Sequence, residues 1–186
     1  MELFPALSFG WLNGWLVILL LGLVDGILFL AFPKEVVKRL FDRSGWSQKQ
    51  RAFTVAGKLC ALLCLALIAL TPLKIGQPVF AVGMVFAMVG LTGLAKALFD
   101  FKNTPVGAPV TLGIYKVSRH PQIVMSSLVL FGACLTIGSW PALILLAAAR
   151  ILSHWGILAE EEACLKKYGE GYRAYLQQTP RYFVVF

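Results

Sequence analysis

Three residues near the end of a long apolar stretch have the types and spacing to do chemistry: Arg150, His154 and Glu161. On a helix, at ~100° per residue, their offsets of four and seven leave them within a ~40° arc. Such a stripe is expensive against lipid, so it should face the protein interior or a wet cavity. It can orient a charged ligand, or it can be an internal salt-bridge cluster that fixes helix packing. The three residues alone leave both readings open. A second group is Gly113-Ile114-Tyr115-Lys116-Val117-Ser118-Arg119-His120-Pro121. Pro121 suits the first turn of a helix. Arg119 and His120 then sit at a helix mouth, where free N–H groups and the positive end of the helix dipole meet. With Lys116 nearby, this is an anchor for a carboxylate or phosphate, although membrane-flanking cations are the plainer account. The third group runs Glu160, Glu161 and Glu162, then Leu165, Tyr168-Gly169, Tyr172, Tyr175 and Thr179-Pro180-Arg181-Tyr182. A carboxylate pair here can accept hydrogen bonds from ribose hydroxyls or an ammonium. Leu165, Tyr168, Tyr172 and Tyr175 fit an amphipathic helix lying against a membrane.

The elements that must position these groups are membrane helices. Hydrophobic residues make up 59% of the 186-residue chain and charged residues only 14%, with mean hydropathy +0.77, outside the usual range for a soluble domain. A crossing needs roughly 20 mainly apolar residues. Residues 11–32, 53–71 and 78–99 each supply one. The stretch 123–158 is too long for one crossing. It is broken at Gly138-Ser139-Trp140-Pro141, so it reads as two crossings joined by a tight turn. The expectation is an all-α integral membrane protein with about five transmembrane helices. The last two form a helical hairpin, followed by a cytoplasmic amphipathic C-terminal helix. Residues 1–186 form a single membrane domain: a three-helix scaffold over 11–99, a loop over 100–111, and the distinctive polar residues over 112–182.

Net charge is +8, and the cations gather between apolar runs, which indicates juxtamembrane charge and not nucleic-acid binding. Lys34, Lys38, Arg39, Arg43, Lys49 and Arg51 fill the first loop, Lys102, Lys116 and Arg119 the third, and Lys166, Lys167, Arg173 and Arg181 the tail. The second loop has only Lys74 and the hairpin turn has no charge. The N-terminus is therefore expected outside (lumenal) and the C-terminus cytoplasmic, in a bacterial inner membrane or endoplasmic reticulum. The first apolar run lacks a basic n-region and reads as a retained helix, not a signal peptide. Cys60, Cys64, Cys134 and Cys164 contain no CxxC pair and read as packing residues, with no disulfide framework and no metal site. Lys58 and Lys96 lie near span ends and can snorkel. Asp25 lies deeper in the first run and can cap or pair with a neighbouring helix.

Taken in order, Gly-Ile-Tyr-x-x-x-Arg-His-Pro, a short helical hairpin, Glu-Glu, Tyr-Gly-x-x-Tyr-x-x-Tyr and a terminal Arg resemble a known family. It is the isoprenylcysteine carboxyl methyltransferase and phospholipid methyltransferase superfamily of integral membrane enzymes. The resemblance covers residues 112–182. It implies S-adenosylmethionine as cofactor, held on the cytoplasmic side by Tyr115, Arg119, His120, Pro121, Glu160 and Glu161; His154, on the Arg150–Glu161 face, is also expected to bind it. Counting from Tyr168 selects Glu160 and Glu161, while counting from Leu165 selects Glu161 and Glu162. The resemblance further implies that Arg181 lies near the reacting groups, and Arg181, Arg150 and Glu161 are the expected catalytic residues. The acceptor would be lipophilic and membrane-accessible: an isoprenylcysteine carboxylate, a phospholipid amine or similar. Two departures are Ile123, where the family often has Tyr, and the ending Arg181-Tyr182-Phe183-Val184-Val185-Phe186, where Pro often follows Arg. They keep two alternatives open: a non-catalytic transport or assembly protein on the same architecture, or a membrane reductase.

Overall fold

The computed structural model describes residues 1–41, 46–105 and 107–183, so Arg43 and the final Val184, Val185 and Phe186 lie outside the described residues. Among the described residues the protein is all-α: α1 (Trp15–Ala31), α2 (Lys34–Leu40), α3 (Gln48–Leu70), α4 (Pro78–Lys102), α5 (Pro121–Thr136) and α6 (Trp140–Gln178), with a 3₁₀ turn at Gly113–Lys116 before α5. Three of them, α3, α4 and α6, are long and apolar enough to cross a membrane, while α1 and α5 are shorter apolar helices of 17 and 16 residues. From Trp140 to the kink at Gly169, α6 extends ~43 Å at 1.5 Å per residue, so the helix must project beyond a ~30 Å hydrocarbon layer. The segment expected as a separate C-terminal helix instead continues α6 to Gln178, interrupted at Gly169 (φ 60°, ψ −138°).

Local signals account for the boundaries. Pro78 and Pro121 stand in the first turns of α4 and α5, where a missing N–H loses nothing. Ser47 and Gln50 form a reciprocal capping box at the start of α3. The expected break between the last two apolar runs is real: Gly138 takes a positive φ of 63° and Ser139 caps α6 through the Ala142 N–H. The expected loop at 100–111 starts later, because α4 continues through Asp100 to Lys102.

The surface is turned inside out relative to a soluble protein. Leu59, Leu62, Val85, Met88, Ile144 and Ile151 point outward from the three long helices, as a hydrocarbon solvent requires. Packing between helices relies on small residues, which let backbones close up and gain dispersion contact. α5 packs mainly on α4, and α6 mainly on α3. A Cβ on Gly132 of α5 would stand 2.5 Å from the Gly83 carbonyl oxygen of α4. One on Gly57 of α3 would stand 2.8 Å from Ser153 Oγ of α6. α3 and α4 therefore clasp the two arms of the hairpin and fix where their ends point. Cys64 and Cys134 are fully buried, with sulfurs 3.9 Å apart, and all four cysteines are free thiols.

At the end of the bundle holding the hairpin turn, the N-terminal segment is stitched to the helix ends. Glu2 exchanges backbone hydrogen bonds with Gly138 and Trp140, Lys74 N–H donates to Thr136 O, and buried Asn13 donates to the Ser8 and Ala69 carbonyls. Lys34, Lys38, Arg39, Lys102, Lys116, Arg119, Lys166 and Lys167 belong to the segments at the other end, the basic end, where the chemistry-bearing residues meet.

Candidate functional site

Glu161 is the hub of the basic end. It lies on α6 three residues past Leu158, where the apolar run stops, and its side chain is only 8% exposed. Arg181 grips it in a fork: Nε donates to Oε1 and Oε2 at 3.0 and 3.1 Å, and Nη2 donates to Oε2 at 2.7 Å. Arg119 Nη1 lies 3.2 Å from Oε1, and His120 Nε2 is also 3.2 Å from Oε1. A carboxylate only accepts, so His120 presents a protonated Nε2 to it. Its Nδ1 faces Glu160 Oε2 at 3.9 Å. Burial alone would raise the Glu161 pKa. Hydrogen bonds from His120 and Arg181 and the charge of Arg119 outweigh it and hold the carboxyl at about 2. The same pairing raises the pKa of Arg181.

The backbone completes the cluster. Arg119 N–H donates to Pro180 O at 2.9 Å, and Ser118 Oγ donates to Arg181 O at 3.1 Å while accepting from His120 N–H. The tail after α6 is thereby sewn to the loop before α5. Gly113 adopts φ 62°, and the adjacent Ile114 N–H donates to Asp100 Oδ2 at 2.9 Å. Asp100 also pairs with Lys96. It sits where a Cβ on Gly113 would have to go, so only glycine fits there. Tyr115 is buried between partners: its hydroxyl accepts from Gln122 at 2.8 Å, and its carbonyl accepts from Tyr175 OH at 2.7 Å. Burial pushes the phenols of Tyr115, Tyr172 and Tyr175 up, so they stay neutral and act as donors and apolar walls.

Two cavities flank this cluster. The first, about 530 Å³, opens at the basic end between Arg39, Tyr115, Arg119, His120, Glu160 and the rings of Tyr168, Tyr172 and Tyr175. Arg119 Nε is buried here without a partner. Arg39 braces the mouth: it donates to the Pro105 and Ala108 carbonyls and lies 4.9 Å from the Phe101 ring centroid. The second, about 610 Å³, is mostly apolar, lined by Ile123, Val124, Ile151, Trp155 and Ile157 with Ser127, Arg150, His154 and Tyr182. Exposed Ile151 and Trp155 on its rim make it open sideways. Ile123 borders both cavities.

The sequence-selected residues therefore fall into three places. Tyr115, Arg119, His120 and Glu160 line the first cavity. Arg150 and His154 line the second. Glu161 and Arg181 line neither and lock each other between them, while Pro121 is buried as the first residue of α5. The Arg150, His154 and Glu161 stripe does not act as one unit, because Glu161 is seven residues beyond His154 and so ~10 Å further along the axis. Arg150 bonds Ser127 Oγ at 3.4 Å and His154 Nδ1 meets Tyr182 OH at 2.8 Å. Glu162 is exposed and pairs with Lys166. Asp100 and Ser127 carry no role in the sequence reading, and Tyr182 enters it only as the close of the Thr179–Tyr182 motif. An acid four residues after Lys96 at the close of an apolar helix is the available signal for Asp100, while Ser127 gives none.

A family model described as phospholipid methyltransferase matches residues 72–171, over half the chain. The match takes in α4 as well as the hairpin, reaching further toward the N-terminus than the motif resemblance, and ends before Arg181. Comparison with curated proteins and with solved structures found no match.

Proposed function

The chain belongs to the phospholipid methyltransferase family, part of the superfamily of membrane methyltransferases, and from that premise we propose that it transfers a methyl group from S-adenosylmethionine to a lipophilic acceptor. The observation that carries this reading is the pair of cavities that share Ile123 as a wall: one of mixed polar and apolar lining at the basic end, the other almost wholly apolar and open to the side. A water-soluble donor and a lipid-soluble acceptor need separate entries and one meeting point.

The first cavity suits the donor chemically. Arg119 lines this cavity, and its guanidinium suits the donor's carboxylate. Glu160 faces the same space and can accept from ribose hydroxyls, and the neutral rings of Tyr172 and Tyr175 supply apolar walls. S-adenosylmethionine supplies a methyl group on a positively charged sulfur, which is displaced in line with little acid–base help. The protein's tasks are then alignment and exclusion of water. Glu161 and Arg181 do this by positioning: through Arg119, His120 and the Ser118 contact they tie the start of α5 to the tail that carries Tyr182. His154 belongs on the acceptor side, bonded to Tyr182. In the membrane, α1, α3, α4, α5 and α6 make five crossings, with the N-terminus outside and the basic end cytoplasmic, where the donor is found.

The test is titration of S-adenosylhomocysteine into the folded protein in nanodiscs. Saturable binding is expected, weakened about five- to twentyfold by Glu160→Gln, the loss of one charged hydrogen-bond acceptor, with thermal stability unchanged because Glu160 is half exposed. No binding to folded wild-type protein would sink the reading.

A further inference from the structure

The segment ahead of α1 is built unlike a loop in water. The first apolar run begins at Trp11, yet α1 starts only at Trp15. Residues 1–14 run as non-helical chain over the end of the bundle opposite the basic end. Their backbone is tied down at both ends. Glu2 bonds Gly138 and Trp140 at the hairpin turn, while Ser8, Leu12 and Gly14 bond Leu70, Leu73 and Thr71 where α3 stops. The side chains do the opposite of packing. Phe4, Phe9 and Trp11 are 94%, 85% and 88% exposed, and Leu3, Leu7 and Leu12 are each more than half exposed. Glu2 carries the only charged side chain before Asp25, and Lys74 answers it at 2.5 Å. What remains outward is apolar and rich in aromatic rings, and a large surface of that kind marks a contact with membrane or protein.

We propose that residues 3–12 form a membrane-seated strap whose partner is phospholipid of the leaflet on the hairpin-turn side, at the boundary between acyl chains and headgroups. Three observations select this occupant. Helix contacts inside a membrane use small residues that let backbones close, as Gly132 and Gly57 do. The strap instead extends its largest side chains almost free of protein, which suits lipid and not a second copy of the chain. The backbone sets the depth. The N–H groups of Leu3, Phe4, Ala6 and Leu7 have no backbone acceptor among the described residues. Hydrocarbon would leave them unsatisfied, whereas water and lipid ester oxygens reach them at the boundary. Helix length is the third observation. At 17 and 16 residues, α1 and α5 span ~26 and ~24 Å, short of a ~30 Å layer. The strap joins the start of α1 at Gly14 and the turn after α5 through Glu2, so it extends the apolar surface where these two helices run out. Trp, Phe and Leu are the side chains that seat in such a boundary.

The whole chain is placed in nanodiscs of phosphatidylcholine brominated either on the upper acyl carbons or near the chain ends. Trp11 fluorescence is obtained by subtracting the Trp11→Phe variant from the wild type. Shallow bromines should quench Trp11 about twofold more than deep ones, and aqueous iodide should quench it about fivefold less than a tryptophan peptide free in solution. Iodide quenching equal to that of the free peptide puts the strap in water and overturns the proposal. Stronger quenching by the deep bromines puts it in hydrocarbon, and resistance to both quenchers means that protein, such as a second copy, covers it. Either result overturns the proposal as well. Replacing both anchors, Phe4→Asp with Phe9→Asp, should lift the strap and cut shallow-bromine quenching of Trp11 by about half. Unchanged quenching in the folded double variant overturns the anchoring. If the double variant fails to fold, the Trp11→Phe subtraction decides alone, because it alters one exposed ring and keeps it aromatic.

Discussion

Two arginine-bearing regions of α6 and its surroundings stand within three turns of each other and are built on opposite principles. Around Glu161, one carboxylate takes hydrogen bonds from Arg181 and His120 and an ion pair from Arg119, so charge is answered inside the fold. Around Arg150, a guanidinium has a single hydrogen bond among the described residues, to Ser127, and borders a mostly apolar cavity. A satisfied charge cluster holds structure, whereas a charge with one neutral partner weighs against it. Residue type alone does not distinguish them.

The sharpest way to break the comparison is to remove the hub. Glu161→Ala should destabilise the protein by about 3–5 kcal/mol, because it strands two arginines and a histidine around a buried hole. Chemical denaturation in a mild detergent reads this, and a loss under about 1 kcal/mol would mean the cluster is not what holds the tail to α5. The opposite region should respond with the opposite sign. Arg150→Leu removes an unpaired charge from the apolar run of α6 and should raise stability by about 2 kcal/mol on insertion scales. Methyl transfer should fall along with it. A variant destabilised like Glu161→Ala would show that Arg150 has a structural partner after all.

Smaller changes refine the contrast. Arg181→Lys keeps the charge but not the fork, so about 1–2 kcal/mol of stability should go, with Arg181→Met losing more. Titration tests the same hub. The Glu161 pKa is depressed, so its contribution is complete above the unfolded value near 4.5 and is lost only as pH falls toward about 2. The carboxylate infrared band of this residue should persist at pH 4, and its disappearance between pH 5 and 4 would contradict the pairing. The mildest expected effect is that of Tyr182→Phe. It removes the 2.8 Å bond to His154 and should lower stability by about 0.5–1.5 kcal/mol, with S-adenosylhomocysteine binding unchanged.

Much of this was legible beforehand, residue by residue. The breaks at Pro78, Pro121 and Gly138-Ser139 are backbone chemistry written locally, and the structure ends its helices there. Glu161 is selected by both counts, from Tyr168 and from Leu165, and by its place on the Arg150–His154 face; in the structure Arg119, His120 and Arg181 converge on it. Arg150, His154 and Glu161 all lie on α6, and their offsets give them a common angular phase, but the axial rise separates Glu161 from the other two. The Asn, Thr, Pro and Gly content of residues 100–111 points to a loop beginning at Asp100, because nothing nearby in sequence announces that its carboxylate caps a turn 14 residues later.

By itself the sequence determined the solvent, the all-α class, the hairpin and the side on which cations gather, since hydropathy, proline, glycine and charge act over a few residues. The tertiary structure decided which charges are answered. Pairing depends on which helix ends meet. That is set by the close approach of Gly132 to α4 and Gly57 to α6, and by the return of the tail onto Arg119. These contacts join residues 49 to 96 positions apart. No local pattern shows that Arg181 will find Glu161 while Arg150, on the same helix, borders a mostly apolar cavity.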